Sequence, residues 1–222
     1  MPRPAPSGKP TAVRRVPAQR RALQTQALIF EAAIRLLESD GLDGFSTNRL
    51  ALESGYAVGT IYQYFGSKRE LLAALARREV EQAIAATRRS LAAQATGSGA
   101  AAAPLDRIRA GVRLLLGAFG GRLKARRVLV QAALASGQTE ELDRPARAVA
   151  ALLVGQGLPR ADGSLLRLDD HEAFVLTQAL MGAVRSALLT EPARLKQPAF
   201  EDALVRLVAG FLGVDGDRGR RR

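Results

Sequence analysis

Residues 46–71 read STNRLALESGYAVGTIYQYFGSKREL, and their punctuation by glycine decides how this part of the chain folds. Ser46 or Thr47 can cap a helix running to about Ser54, with Leu50 and Ala51 facing inward. Gly55 breaks it. A short segment from Val58 to Tyr64 follows, stopped by Gly66, and Ser67-Lys68-Arg69-Glu70 fits the capping-box pattern that opens a further helix. Helix, glycine-containing turn and short helix make the helix-turn-helix arrangement, in which the first helix crosses a nucleic-acid backbone and the second enters the major groove.

The aromatic usage of this stretch points the same way. Two of the chain's three tyrosines and one of its four lysines fall between Gly59 and Lys68. Gly59 and Thr60 stand where a helix N-terminus offers free amides to a phosphate, glycine allowing close approach and threonine adding a hydroxyl donor. Tyr62 and Tyr64 can pack their rings on a small domain while their hydroxyls reach phosphate oxygens. Lys68 gains nothing from the dipole at a helix start, but beside free amides it reads as a phosphate clamp. Taken without its surroundings, the cluster would read first as core aromatics next to a solvated helix start.

Working outward, Leu23, Ala27, Phe30, Ala33, Ile34 and Leu37 recur at spacings of three and four, predicting an amphipathic helix over 21–39 that stops at Asp40-Gly41. The helix opened at Ser67 is long, with Leu71, Leu72, Leu75, Val80, Ile84 and Leu91 continuing its apolar pattern to Ala95. Residues 96–104 then form a Gly, Ser and Ala connector. Helices are expected over 105–119, 123–135, 139–156, 169–189 and 198–212, with loops over 157–168 and 191–197 and no convincing strand. The expected fold class is all-α with about nine helices. The expected organisation is a basic arm over 1–19, a helix-turn-helix domain over 20–80, a C-terminal regulatory and dimerisation domain over 81–213 and a basic tail over 214–222. The arm, without periodicity, reads as disordered, either an inert solubilising tail or a minor-groove arm.

Composition removes several classes of function. The chain has 222 residues, enough to bury a core, and contains no cysteine and one histidine, His171. Disulfides, thiolate nucleophiles and cysteine-ligated metals are excluded, and no cofactor is expected. His171 is expected exposed near a helix start, with Asp169-Asp170 as cap and dipole partners. There is no G-x-S-x-G elbow, P-loop or G-x-G-x-x-G fingerprint, so an enzyme is not expected. No apolar run reads as long enough to cross a bilayer and the N-terminus lacks a signal-peptide core, which predicts a soluble, cytoplasmic protein without membrane association. The net charge of +12 suggests an anionic partner. That charge is concentrated in the tails, since residues 22–79 hold six basic against seven acidic residues. Any nucleic-acid contact there rests on geometry and a few placed groups.

The run Thr47-Asn48-Arg49-Leu50-Ala51, then Ser54-Gly55, then Gly59-Thr60-Ile61-Tyr62-Gln63-Tyr64-Phe65-Gly66-Ser67-Lys68-Arg69-Glu70-Leu71 resembles the DNA-binding domain of the TetR family, over roughly residues 22–75. The resemblance implies a one-component transcription regulator, usually a repressor, that binds a near-palindromic operator in double-stranded DNA as a homodimer. A small-molecule effector would release it. Carried over by position, Thr47, Thr60, Tyr62, Tyr64 and Lys68 would touch DNA. Gln63 is the expected base reader because its amide can pair bidentately with adenine, with Arg49 and Val58 as secondary candidates. The chain departs from the family pattern at Tyr56 and Ala57, where a Val-Ser pair usually opens the turn. Ala57 offers no capping oxygen, and Tyr56 either packs in the turn or adds a contact, packing being preferred. The alternative within DNA binding is a non-specific architectural protein driven by its arginine tails.

In the C-terminal part the helix over 169–189 carries apolar residues on more than one stripe, and the last helix repeats Phe200, Ala203, Leu204, Leu207, Val208, Phe211 and Leu212. The resemblance suggests that these two helices pair with their symmetry mates. Leu180, Val184, Leu188, Leu204, Leu207, Val208 and Phe211 are the expected interface. An effector cavity would lie among the helices over 105–188, with Leu115, Phe119, Leu134, Phe174 and Met181 as apolar lining and Arg113, Gln131 and Gln178 as polar groups. Leu129 and His171 are further candidates.

Overall fold

A computed structural model of the chain describes residues 16–96, 103–119, 122–137, 139–156, 158–159 and 165–214. Nine α-helices are present among these residues, as the sequence predicts: α1 (Val16–Asp40), α2 (Thr47–Ser54), α3 (Val58–Tyr64), α4 (Lys68–Thr96), α5 (Pro104–Phe119), α6 (Leu123–Ala135), α7 (Thr139–Gln156), α8 (Asp170–Thr190) and α9 (Pro198–Phe211). A 3-10 turn over Pro192–Lys196 links α8 to α9. The fold is all-α, with N-terminal helix-turn-helix elements joined by the long α4 to a C-terminal helical part. One expectation needs correction: Leu158–Pro159 pairs antiparallel with Leu165–Leu166. The sequence hides this ladder because two residues are too few to show alternation.

The helix α1 starts at Val16 rather than Arg21. Pro17 does not prevent this, since a proline in the first turn gives up an amide that has no intrahelical acceptor anyway. The remaining arm residues, 1–15, lie outside the described residues, as do the connector 97–102 and the tail 215–222. Gly41 and Gly55 adopt φ of 72° and 74°, the left-handed conformation that glycine reaches without strain. Gly55 closes α2 with a bond from its amide to the Ala51 carbonyl. Ser46, not Thr47, is the α2 cap, its Oγ accepting from the Arg49 amide at 3.2 Å.

Two apolar clusters hold the molecule together. The first gathers Ile29, Phe30, Ile34, Leu37, Phe45, Leu50, Ile61, Phe65, Leu71 and Leu75 and is completed by Ala125, Val128 and Leu129 of α6. Each fully buried Leu, Ile or Phe contributes about 1.5–3 kcal/mol by leaving water. Leu23, placed on the buried stripe by its spacing, is exposed instead, because α1 extends past the cluster at that end. The second cluster joins Val112, Leu168, Leu176, Val184, Leu188, Leu195, Leu204, Val205 and Val208, with Leu123 and Val130 of α6 packed against it. The helix α6 is therefore shared by both.

Polar contacts fix α6 to the N-terminal elements. The Ala125 amide donates to Glu38 Oε2 at 2.8 Å and Lys124 Nζ to the Ser39 carbonyl at 2.6 Å. Glu31 takes Arg78 at 3.2 Å and Arg122 at 3.1 Å, and Arg126 reaches Glu79 at 3.2 Å. Burial pulls the Arg126 pKa below its ordinary value, against the opposing pull of Glu79.

The helix α8 corrects a second expectation. It has 21 residues, a mean hydropathy of 1.4 in its most apolar window and only 33% of that window buried, so by length and composition alone it could cross a membrane. A capping box opens it, with Asp169 and Glu172 satisfying each other's amides, and it packs on α7, the 3-10 turn and α6, burying Ala173, Leu176, Val184, Ala187 and Leu188.

Candidate nucleic-acid interface

The short helix α3 packs on α2 and closes onto the first apolar cluster. Ile61 is buried, and the Phe65 ring lies 5.2 Å from that of Phe30. Residues one or two positions from Ile61 turn away from that buried face: Gly59, Tyr62 and Gln63 are exposed, and Val58 and Thr60 are half-buried. Tyr62 is 46% exposed, and its hydroxyl comes within 3.4 Å of Thr47 Oγ1 at the start of α2. Two hydroxyls from different helices thus converge at one point, available together to a single acceptor. Tyr64 and Tyr56 pack against the first cluster, which is the preferred reading of Tyr56. As the sequence indicates, Ala57 leaves α3 without a side-chain cap.

The basic residues of this region are mostly engaged. Arg49 pairs with Asp40 at 2.5 Å and donates to the Gly44 carbonyl at 3.2 Å, so its guanidinium fastens the link between α1 and α2. Arg35 pairs with Glu53 at 2.8 Å. Lys68 turns inward: Nζ donates to the Phe45 carbonyl at 2.7 Å and the Leu42 carbonyl at 3.5 Å, and sits 5.3 Å from the centre of the Phe45 ring. Its first role is to brace the 41–45 loop. The start of α4 also differs in detail from a regular capping box. Ser67 Oγ accepts from the Glu70 amide at 3.1 Å, but Glu70 reaches back to the Gly66 amide.

Sequence reasoning passed over Arg69. It is exposed in the first turn of α4, and no ion pair holds it among the described residues. The signal was present, since Arg69 follows Lys68 directly, but which of two adjacent cations turns inward depends on where the Phe45 carbonyl falls.

The other expected sites fare unevenly. Val184, Leu188, Leu204 and Val208 are buried within the protomer and Leu180 is half-buried against the second cluster, so they are core first. Leu207 and Phe211 of α9 are 45% and 39% exposed, and Phe174 and Val175 of α8 are 55% and 52% exposed. Phe174, Leu134 and Gln131 were expected to line a cavity; all three lie on the outside, because Ala173, Leu176, Ala133 and Val130 take the inward positions of their helices. Leu115 and Phe119 are half-buried against the second cluster, and Gln178 and Met181 are half-buried on α8. Leu129 belongs to the first cluster, and His171 is exposed in the first turn of α8. A cleft of about 270 Å³ between α5 and the start of α9 includes Arg113 and none of the other expected lining residues. Among the described residues no group of acidic and histidine side chains could hold a metal ion.

The arrangement of α2, the Gly55 turn and α3 is that of a helix-turn-helix unit. Residues 29–75 match the model of the bacterial regulatory proteins of the TetR family. A 50-residue stretch is 48% identical to an uncharacterized HTH-type transcriptional regulator of Haemophilus influenzae, spanning 22% of this chain and 27% of that relative.

Likeness in structure extends further. A TetR-family transcriptional regulator from Mesorhizobium loti superposes with a TM-score of 0.61 at 20% identity, covering 87% of this chain and 98% of its own. The multidrug binding protein EbrR complexed with imidazole gives a TM-score of 0.58 at 23% identity over 87% of this chain and 98% of its own. The regulator FadR from Bacillus subtilis, in complex with stearoyl-CoA, gives 0.57 at 16% identity over 86% of this chain and 99% of its own. At these identities the likeness establishes the fold.

Proposed function

We propose that the chain is a sequence-specific repressor that binds a near-palindromic operator as a homodimer and leaves it when a small molecule binds. DNA contact falls to the unit over 20–80, and effector binding and dimerisation to the unit over 81–213. The observation that carries the DNA reading is the convergence of the Thr47 and Tyr62 hydroxyls beside the exposed face of α3. A phosphate oxygen can accept from both hydroxyls, which fixes the register of α3 in the major groove. Gln63, exposed on α3, then faces base edges, where its amide suits adenine. Gly59, Thr60 and Val58 lie along the approach to the backbone. Arg69 supplies the free cation at the start of α4, while Lys68 keeps a remaining N–H for phosphate and Arg49 acts by holding α2.

Dimerisation is supported by the exposed apolar side chains on these two helices, Phe174 and Val175 on α8 and Leu207 and Phe211 on α9. A two-fold pair would set two α3 helices in successive major grooves, roughly 34–36 Å apart. The effector class has support from the solved neighbours, one holding imidazole and another stearoyl-CoA. The test is selection of fragmented genomic DNA from the source organism on the purified protein at physiological salt, followed by sequencing. One strongly enriched near-palindrome beside promoters is the expected result; uniform recovery of all fragments would replace this reading with non-specific binding.

A further inference from the structure

The cleft between α5, the Pro192–Lys196 turn and the start of α9 has a volume of about 270 Å³ and is lined by Arg113, Leu116, Gly117, Leu195, Lys196 and Glu201, among others. That is about nine water volumes at ~30 Å³ each, too much for a bare ion and suited to a small organic molecule. We propose that this cleft binds a small organic carboxylate, its anionic end held by Arg113 and Lys196 and its apolar body on Leu116 and Leu195. The inference stands on this geometry and is independent of the DNA-binding reading.

Arg113 is oriented for the task. Its Nε donates to Glu201 Oε1 at 2.9 Å and the side chain is 64% exposed, leaving the terminal nitrogens as a fork for a second carboxylate. Glu201 is itself held, because Arg109 donates to it at 2.9 Å and to Asp202 at 2.6 Å. A fixed carboxylate thus fixes the guanidinium that would meet the ligand. Arg109, Arg113 and Lys196 carry three positive charges against the two negative ones of Glu201 and Asp202, so the cleft keeps a net positive charge. Lys196, exposed and without an ion pair among the described residues, adds positive charge at the rim. A Cβ built on Gly117 meets nothing within 4 Å, so its place in the wall is open space that a ligand can fill.

The test uses the full chain titrated with benzoate, and with benzamide as the neutral analogue of the same shape, in a buffer free of carboxylates. Saturable one-to-one binding of benzoate is expected, with benzamide about tenfold weaker or worse, because the charged fork contributes to one and not the other. Gly117→Leu should abolish benzoate binding by filling the cleft without changing charge. Lys196→Gln lies outside the ion network, so it cannot unfold the protein through that network. It should weaken benzoate severalfold and leave benzamide unchanged. Equal binding of benzoate and benzamide, absence of saturation, or benzoate binding untouched by Gly117→Leu would each overturn the proposal.

Discussion

At the scale of single residues, the orientation of Lys68 separates what a motif announces from what a side chain does. Its ammonium is bonded to the Phe45 carbonyl and stacked on the Phe45 ring, so removing it leaves a part-buried carbonyl without a donor. Lys68→Met should lower stability to urea by about 1–3 kcal/mol. Arg69→Ala should leave stability within about 0.5 kcal/mol. In the proposed interface it should weaken operator binding and reduce the salt dependence of affinity by about one phosphate contact. Tyr62 and Thr47 were legible as polar groups of the right type. Their convergence was not, because it depends on the angle at which α2 meets α3.

At the scale of elements, pattern and punctuation carried most of the boundaries, and long-range partners carried the rest. Gly41, Gly55 and the Asp169 cap end or start helices where local chemistry says they should. Leu23 was misplaced because a period-3.6 stripe does not say where the neighbouring helices stop, and the two-residue ladder was too short to leave a pattern. The role of α6 was invisible for the same kind of reason: Ala125, Val128 and Leu129 look like any helix core, yet they complete the cluster beneath α3. The Glu38 carboxylate, which accepts from the Ala125 amide across 87 residues, is the polar counterpart of that packing. A hydrogen bond to a charged group contributes about 1.5–3 kcal/mol, so Glu38→Gln should lose part of this. The melting temperature should fall by roughly 2–6 °C, at about 2–4 °C per kcal/mol for a chain of this size. An unchanged melting temperature would mean that α6 is held by its apolar contacts alone.

At the scale of the whole molecule, the residues expected at an interface divide between two environments: Leu207 and Phe211 are exposed, whereas Val184, Leu188, Leu204 and Val208 are buried in the chain's own core. Periodicity marks a helix as apolar without saying which stripe a second subunit covers. Val184 and Leu204 fill the protomer's own core, whereas Phe174, Val175, Leu207 and Phe211 remain exposed. The paired substitution Leu207→Asp with Phe211→Asp should therefore convert the proposed dimer to a monomer in sedimentation, with helix content unchanged because neither side chain is needed inside the fold. The central claim is sequence-specific reading of DNA by α3, and equilibrium titration of the wild-type chain and Gln63→Ala tests it most directly, using the selected near-palindromic duplex and a scrambled duplex of equal length. The account predicts a clear preference for the palindrome in the wild type that Gln63→Ala reduces by about 1–3 kcal/mol, with binding to the scrambled duplex unaltered. Equal affinity for both duplexes, before and after the substitution, would contradict it.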